Sequence, residues 1–266
     1  MTERAGSTVS FTSARYLTQP WERSGETLYD RFRRVPGADQ DALMRTHVVL
    51  IGCGGLGSEV GHGLVRKGVG RLTLLDFDTV ELSNLPRQLF GPEDLGQNKA
   101  LALARNLSRQ ATGRTLIEGH ARSFQDALAS GVDVNGDIAV VGVDNHPTRL
   151  AAAEHYLRSR IPVIYLAVDE QASRGYVFVQ TSQPGEPCFL CLFPDAEKDR
   201  QVHGCAGASI EILKIVAGIA LYAVDSLLMA RPRPWNYKEV FLDQGPDGHR
   251  TIQARPSCPL CANTTR

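Results

Sequence analysis

The chain carries no surplus of either charge: 29 Lys plus Arg stand against 29 Asp plus Glu in 266 residues. That balance supplies no basic field to gather nucleic acid or anionic lipid, and no acidic solvating tail. A run of about 20 uninterrupted apolar residues, which a membrane-spanning helix needs, is also missing. The most apolar segment, 209–229, contains Glu211, Lys214 and Asp225. The opening MTERAGSTVS has no apolar stretch of the secretory-signal kind. A soluble, cytoplasmic protein with no membrane or nucleic-acid partner is therefore expected. There is no internal repeat and no low-complexity segment. Six cysteines are too few for a disulfide framework at this length, yet four form two tight pairs, Cys188-x-x-Cys191 and Cys258-x-x-Cys261.

The organising stretch is 48–76. Val48, Val49, Leu50 and Ile51 read as a buried strand. Gly52, Gly54 and Gly57 follow in the spacing G-x-G-x-x-G, and a helix over 55–67 places Val60, Leu64 and Val65 on one face. A second apolar run, 72–75, ends in Asp76. This predicts a βαβ unit whose first turn lets the backbone approach an anion at a helix N-terminus, with a carboxylate placed to accept hydrogen bonds from ribose hydroxyls. The competing reading is a merely structural tight turn.

Residues 1–26 read as an N-terminal extension with scattered aromatics (Phe11, Tyr16, Trp21) and no sustained period. The segment 28–34 predicts a short helix carrying Arg31, Arg33 and Arg34, by spacing alone a solvated basic face. A long connection bearing Arg87 leads to a helix over 97–110 with Lys99 in its first turn. A lysine there opposes the helix dipole, so it makes sense beside a polyphosphate and otherwise as a surface charge. Strands are expected at 115–120, 138–143, 161–167, 174–181, 238–243 and 251–254. Asp144 follows one of them and precedes a helix over 148–158, where it either holds magnesium against phosphate oxygens or caps the helix. Strands alternate with helices early and cluster late. The expected fold class is α/β, a Rossmann-like doubly wound mixed sheet whose parallel N-terminal half continues into antiparallel strands.

Two C-x-x-C turns supply four thiolates at the corners of a tetrahedron, so Cys188, Cys191, Cys258 and Cys261 are expected to bind a structural Zn2+ with no open coordination position. Redox chemistry is the alternative. Of the remaining two, Cys53 suits a packed residue in the glycine turn. Cys205, in HGCAGAS before the long apolar helix, is either a candidate nucleophile or an inert thiol.

Together VLIGCGGLGSE, LTLLDFDTVELSNLPRQ, GQNKA, VDNHPTR, the cysteine pairs and the Cys205 loop resemble the adenylyltransferase family that activates ubiquitin-like proteins, most nearly its single-domain molybdopterin-synthase type. The resemblance implies an adenylation domain over 27–266 that binds ATP and Mg2+ and joins AMP to the C-terminal carboxylate of a ubiquitin-like or sulfur-carrier protein with a Gly-Gly-type end. It implies that Gly54 and Gly55 line the phosphates, Asp76 the ribose, and Asn84, Arg87 and Lys99 the triphosphate. Asp144 would organise magnesium, and Arg31 would reach in from the other subunit of a homodimer. Gly52, Gly57, Ser83, Gln88 and Asn145 complete the implied nucleotide set, and Cys205 matches a loop cysteine that in some members takes the activated carrier. NLPRQ departs from the usual NLQRQ, and LYDRFRR matches RYxRQ only loosely. The rivals are a nicotinamide- or flavin-dependent oxidoreductase and a non-catalytic partner subunit of the same fold.

Overall fold

A computed structural model describes residues 6–12, 28–198, 209–229, 231–243 and 245–262. The chain starts with β1 (Thr8–Thr12), α1 (Asp30–Arg33) and α2 (Gln40–Arg45). The βαβ unit follows as β2 (His47–Ile51), α3 (Gly55–Lys67) and β3 (Arg71–Leu75). Next come α4 (Lys99–Gln110), β4 (Leu116–His120), α5 (Phe124–Ala129), β5 (Ile138–Val141), α6 (His146–Ser159) and β6 (Val163–Val168). The last part holds β7 (Arg174–Gln180), α7 (Phe189–Leu192), α8 (Ile210–Leu228), β8 (Tyr237–Phe241) and β9 (Gly248–Arg250).

These strands form one nine-stranded sheet in the order β1-β4-β3-β2-β5-β6-β7-β8-β9. The strands from β4 to β6 are parallel, whereas β7, β8 and β9 continue antiparallel, as the sequence predicts. Two apolar layers cover its faces. Leu64, Leu103 and Val216 belong to the core on one side, and Phe124, Ala152 and Tyr156 to that on the other. The central strands read as continuous apolar runs because both faces are buried; each such side chain contributes about 1.5–3 kcal/mol. No helix among the described residues is long and apolar enough to cross a membrane.

Two expectations change. The segment 251–254 is not a strand: the Asn236 amide donates to the Ile252 carbonyl (2.9 Å) and accepts from its N–H (2.7 Å), so the chain leaves the ladder toward the cysteines. β9 lies earlier, at Gly248–Arg250. Within the range read as an extension, Thr8–Thr12 pairs antiparallel with β4, and Val9 and Phe11 pack on the core. Two inward residues are too few to raise a detectable period.

The fully buried Asp225 on α8 is gripped from both sides. Arg231 Nη1 lies 2.6 Å from its Oδ2, and Lys67, at the end of α3, pairs with Oδ1. Lys67 also sits over the Phe32 ring, and burial pulls its pKa down while Asp225 holds it up. Removing the shared anion leaves two partly desolvated cations facing each other. Asp225→Asn is expected to lose about 3 kcal/mol of stability, read as a lowered urea midpoint; an unchanged midpoint would show that the cluster contributes nothing net.

Candidate functional site

A cavity of about 490 Å³ opens at the carboxyl ends of the parallel strands, where an α/β sheet of this topology binds ligands. Its floor is the first turn of the βαβ unit. Gly52 has φ +94°, and a Cβ on Gly57 would stand 1.9 Å from the Gly52 carbonyl oxygen. Only glycines let α3 start so close to β2. The α3 cap is Gly54, whose missing side chain leaves the N-terminal N–H groups of the helix to a ligand.

Asp76 stands at the tip of β3, with Oδ2 accepting from Cys53 N (2.7 Å) and Oδ1 from Asp78 N (2.8 Å). Burial pushes its pKa up to about 6, with nearby Lys99 pulling the other way. Lys99 opens α4, and its Nζ lies 2.9 Å from Asp78 Oδ2. The Asn98 side chain caps that helix through Ala100 N and Leu101 N while its amide donates to the Asp76 and Asp78 carbonyls. Lys99 is therefore fixed to the strand tip that carries Asp76. Opposite it, residues 82–84 form a single 3-10 turn that presents Ser83, Asn84, Arg87 and Gln88. Arg87 Nη1 donates to the Ser83 carbonyl (2.6 Å), and the buried Asn84 accepts from Glu81 N (3.0 Å). Gln88 Oε1 is buried without a hydrogen-bond partner.

At the end of β5 the two readings of Asp144 separate. Asn145 is the helix cap, accepting from Thr148 N (2.9 Å), whereas Asp144 is exposed and lines the cavity. Gly52, Gly54, Gly55, Asp76, Ser83, Asn84, Arg87, Gln88, Lys99, Asp144 and Asn145 all line this one space; Gly57 shapes it from below. Arg31 is exposed on α1 and does not line it. Cys205 lies outside the described residues. Cys53 is wholly buried, its thiol pushed up by burial and by Asp76, as a packed residue should be.

Sequence reasoning missed Phe77, Arg122 and Arg149, which also line the cavity. Arg149 is buried, with Nη2 donating to the Val143 carbonyl (2.6 Å) and Nε unpartnered. Its signal was the spacing: it stands one helical turn after the Asn145 cap. Arg122 carries no such signal.

The second constellation lies beyond β7. Cys188 caps α7 and Cys191 sits within it, facing Cys258 and Cys261 from the chain end; the four Sγ atoms lie within 4.8 Å of one another. Cys188 and Cys191 are 3.9 Å apart, Cys188 and Cys258 3.6 Å, and Cys191 and Cys261 3.4 Å. These are too long for disulfides and close to the sulfur–sulfur edge of about 3.8 Å implied by metal–thiolate bonds of about 2.3 Å. Burial and the neighbouring thiols push the Cys188 thiol well up, and a cation between four thiolates would offset that cost.

The chain resembles several known proteins. The sulfur carrier protein adenylyltransferase of Thermus thermophilus is 30% identical over 242 residues, covering 84% of this chain and 85% of that protein. The Escherichia coli molybdopterin-synthase adenylyltransferase is 28% identical over 225 residues, with 84% and 89% covered. The Xenopus laevis adenylyltransferase and sulfurtransferase MOCS3 is 33% identical, and this chain spans 49% of its length. Among solved structures, E. coli MccB with ATP superposes with a TM-score of 0.71 at 23% identity, covering 84% of this chain and 68% of that one, which shows the shared fold. Residues 28–262 match the ThiF family over nearly the whole described length, and the chain belongs to it.

Proposed function

We propose that the chain is an ATP-dependent adenylyltransferase that activates the C-terminal carboxylate of a ubiquitin-like or sulfur-carrier protein with a Gly-Gly-type end. The observation that carries this reading is the gathering of a glycine turn, Asp76, Arg87, Lys99 and Asp144 around one cavity. An oxidoreductase would use the turn and Asp76 but has no need of the rest, and a non-catalytic partner subunit would have no need to keep them all.

A carboxylate is a poor acyl donor because oxide is a poor leaving group. Its attack on the α-phosphorus of ATP forms the acyl–phosphate bond, breaks the α–β phosphoanhydride and releases pyrophosphate. Negative charge moves onto the bridging and equatorial oxygens, where fixed cations act most strongly. Asp76 holds the ribose, the open N–H groups of α3 receive phosphate oxygens, and Arg87, Lys99 and Asn84 grip the triphosphate. Asp144, free of capping duty, suits Mg2+, which needs only one or two carboxylates beside phosphate and water. The nucleophile is already an anion, so no general base is required. Arg31 completes the site of the second subunit of a homodimer. In a following step the Cys205 thiolate attacks the acyl carbon, the acyl–oxygen bond breaks, AMP leaves and a thioester forms. The four-cysteine cluster fits Zn2+, which would supply charge neutralisation and a cross-link but no reactive position.

ATP–pyrophosphate exchange that depends on the carrier protein tests the activity. Lys99→Ala and Asp144→Ala are each expected to slow it by about 10²- to 10³-fold in a folded protein; exchange at the normal rate in both would end the proposal. ATP affinity is expected to be about tenfold weaker at pH 5 than at pH 7, because a carboxyl with a pKa of about 6 is mostly neutral at the lower pH. Asp76→Asn, which cannot ionise, should remove that dependence, and a slope that survives the substitution assigns it elsewhere. Protein purified without chelator should contain one zinc per chain, and Cys258→Ser should lose it and unfold at lower denaturant; a metal-free yet equally stable protein rules out the structural zinc.

A further inference from the structure

Arg122 enters the cavity from the segment that follows β4. Leu75 and His120 are register partners on the parallel strands β3 and β4, so Ala121 falls level with Asp76 and Arg122 with Phe77, one residue beyond the carboxylate. If Asp76 holds a ribose and α3 receives the phosphates, the base must point the other way. Among the residues that line the space, Arg122, Ser123, Phe124 and Phe77 belong neither to the glycine turn nor to the group around Arg87 and Lys99.

The guanidinium is not held by the family fold alone. Arg122 Nη2 donates to the Gly6 carbonyl (3.0 Å) just before β1. Gly6 has φ +98°, and a Cβ there would stand 3.1 Å from Arg122 Nη2, so a glycine permits the approach. Gly6 N donates to the Ala121 carbonyl (3.2 Å) and Ala121 N to the Ser7 carbonyl (3.0 Å), which continues the β1–β4 ladder up to the cavity wall. Thr8 Oγ1 adds a contact to His120 Nδ1 (3.1 Å). With Nη2 anchored, Arg122 Nε remains buried and without a partner. An arginine fixed at one end and unsatisfied at the other is preorganised for a flat, acceptor-rich ligand.

We propose that Arg122 is a further nucleotide-binding residue, laying its guanidinium against the adenine of ATP, and that the N-terminal strand β1 is its positioning element. This rests on the adenylyltransferase reading above. A guanidinium plane stacks on the face of an aromatic base, and its Nε–H, which lies in that plane, is left for an acceptor beside the base such as a ribose oxygen. The strand at the chain's start thereby becomes part of the nucleotide site.

Calorimetric titration with ATP and with inorganic tripolyphosphate separates a base contact from a phosphate contact. Arg122→Ala is expected to weaken ATP about tenfold and to leave tripolyphosphate unchanged. Arg122→Lys, which keeps the charge but not the plane, should stay weakened for ATP, and it serves as the test if the alanine variant folds poorly. Unchanged ATP binding, or equal losses for both ligands, overturns the contact. Gly6→Ala should weaken ATP in the same direction and add nothing in the Arg122→Ala background; no effect alone, or additive losses, overturns the positioning role. A wild-type protein that binds tripolyphosphate and ATP equally well defeats the base contact alone, whereas one that binds neither defeats the nucleotide reading itself.

Discussion

The contact between residues 52 and 57 is the constraint on which the rest depends. With a side chain at 57, β2 and α3 could not meet, because the Cβ would stand 1.9 Å from the Gly52 carbonyl oxygen. The tight turn starts α3 directly beyond the strand, aims its N-terminus at the crevice and leaves room for Asp76 to bond to Cys53 N. Every other residue of the cavity is placed relative to that corner.

Around it, opposite charges hold one another in readiness. Arg87, Lys99, Arg122 and Arg149 line the same space as Asp76, Asp78, Glu81 and Asp144. Lys99 is paired with Asp78, while Arg87, Arg122 and Arg149 are each held by a backbone carbonyl. Such anchors orient the cations around the cavity. The raised pKa of Asp76 records the other side of the same arrangement: a carboxylate partly stripped of water, and stabilised most fully when hydroxyl donors arrive.

The two ends of the chain finish the site from opposite flanks. β1 covers the outer edge of β4 and reaches Arg122. At the other flank the cysteine cluster fixes α7, whose Phe189 ring lies 6.0 Å from the Arg149 guanidinium, and Arg149 in turn holds the carbonyl of Val143, the residue before Asp144. The four-cysteine cluster and the acid proposed for magnesium are thus joined through one aromatic ring and one arginine.

Much of this was legible in the chain itself. The run 48–51, the glycine spacing, the Asp76 carboxylate and the paired cysteines follow local rules of period, turn and ligand geometry, so they determine a βαβ corner and a four-thiol cluster wherever they fold. Helix α3 falls at 55–67, as expected, because both ends are marked locally, by Gly54 and by the left-handed Gly68. Tertiary structure alone decided the rest. That Asn236 draws 252 out of the sheet and that Gly6 meets Arg122 are contacts between residues whose own neighbours carry no sign of them. Such pairings depend on where distant strands lie side by side, and a hydrogen bond across a fold leaves no period in the sequence.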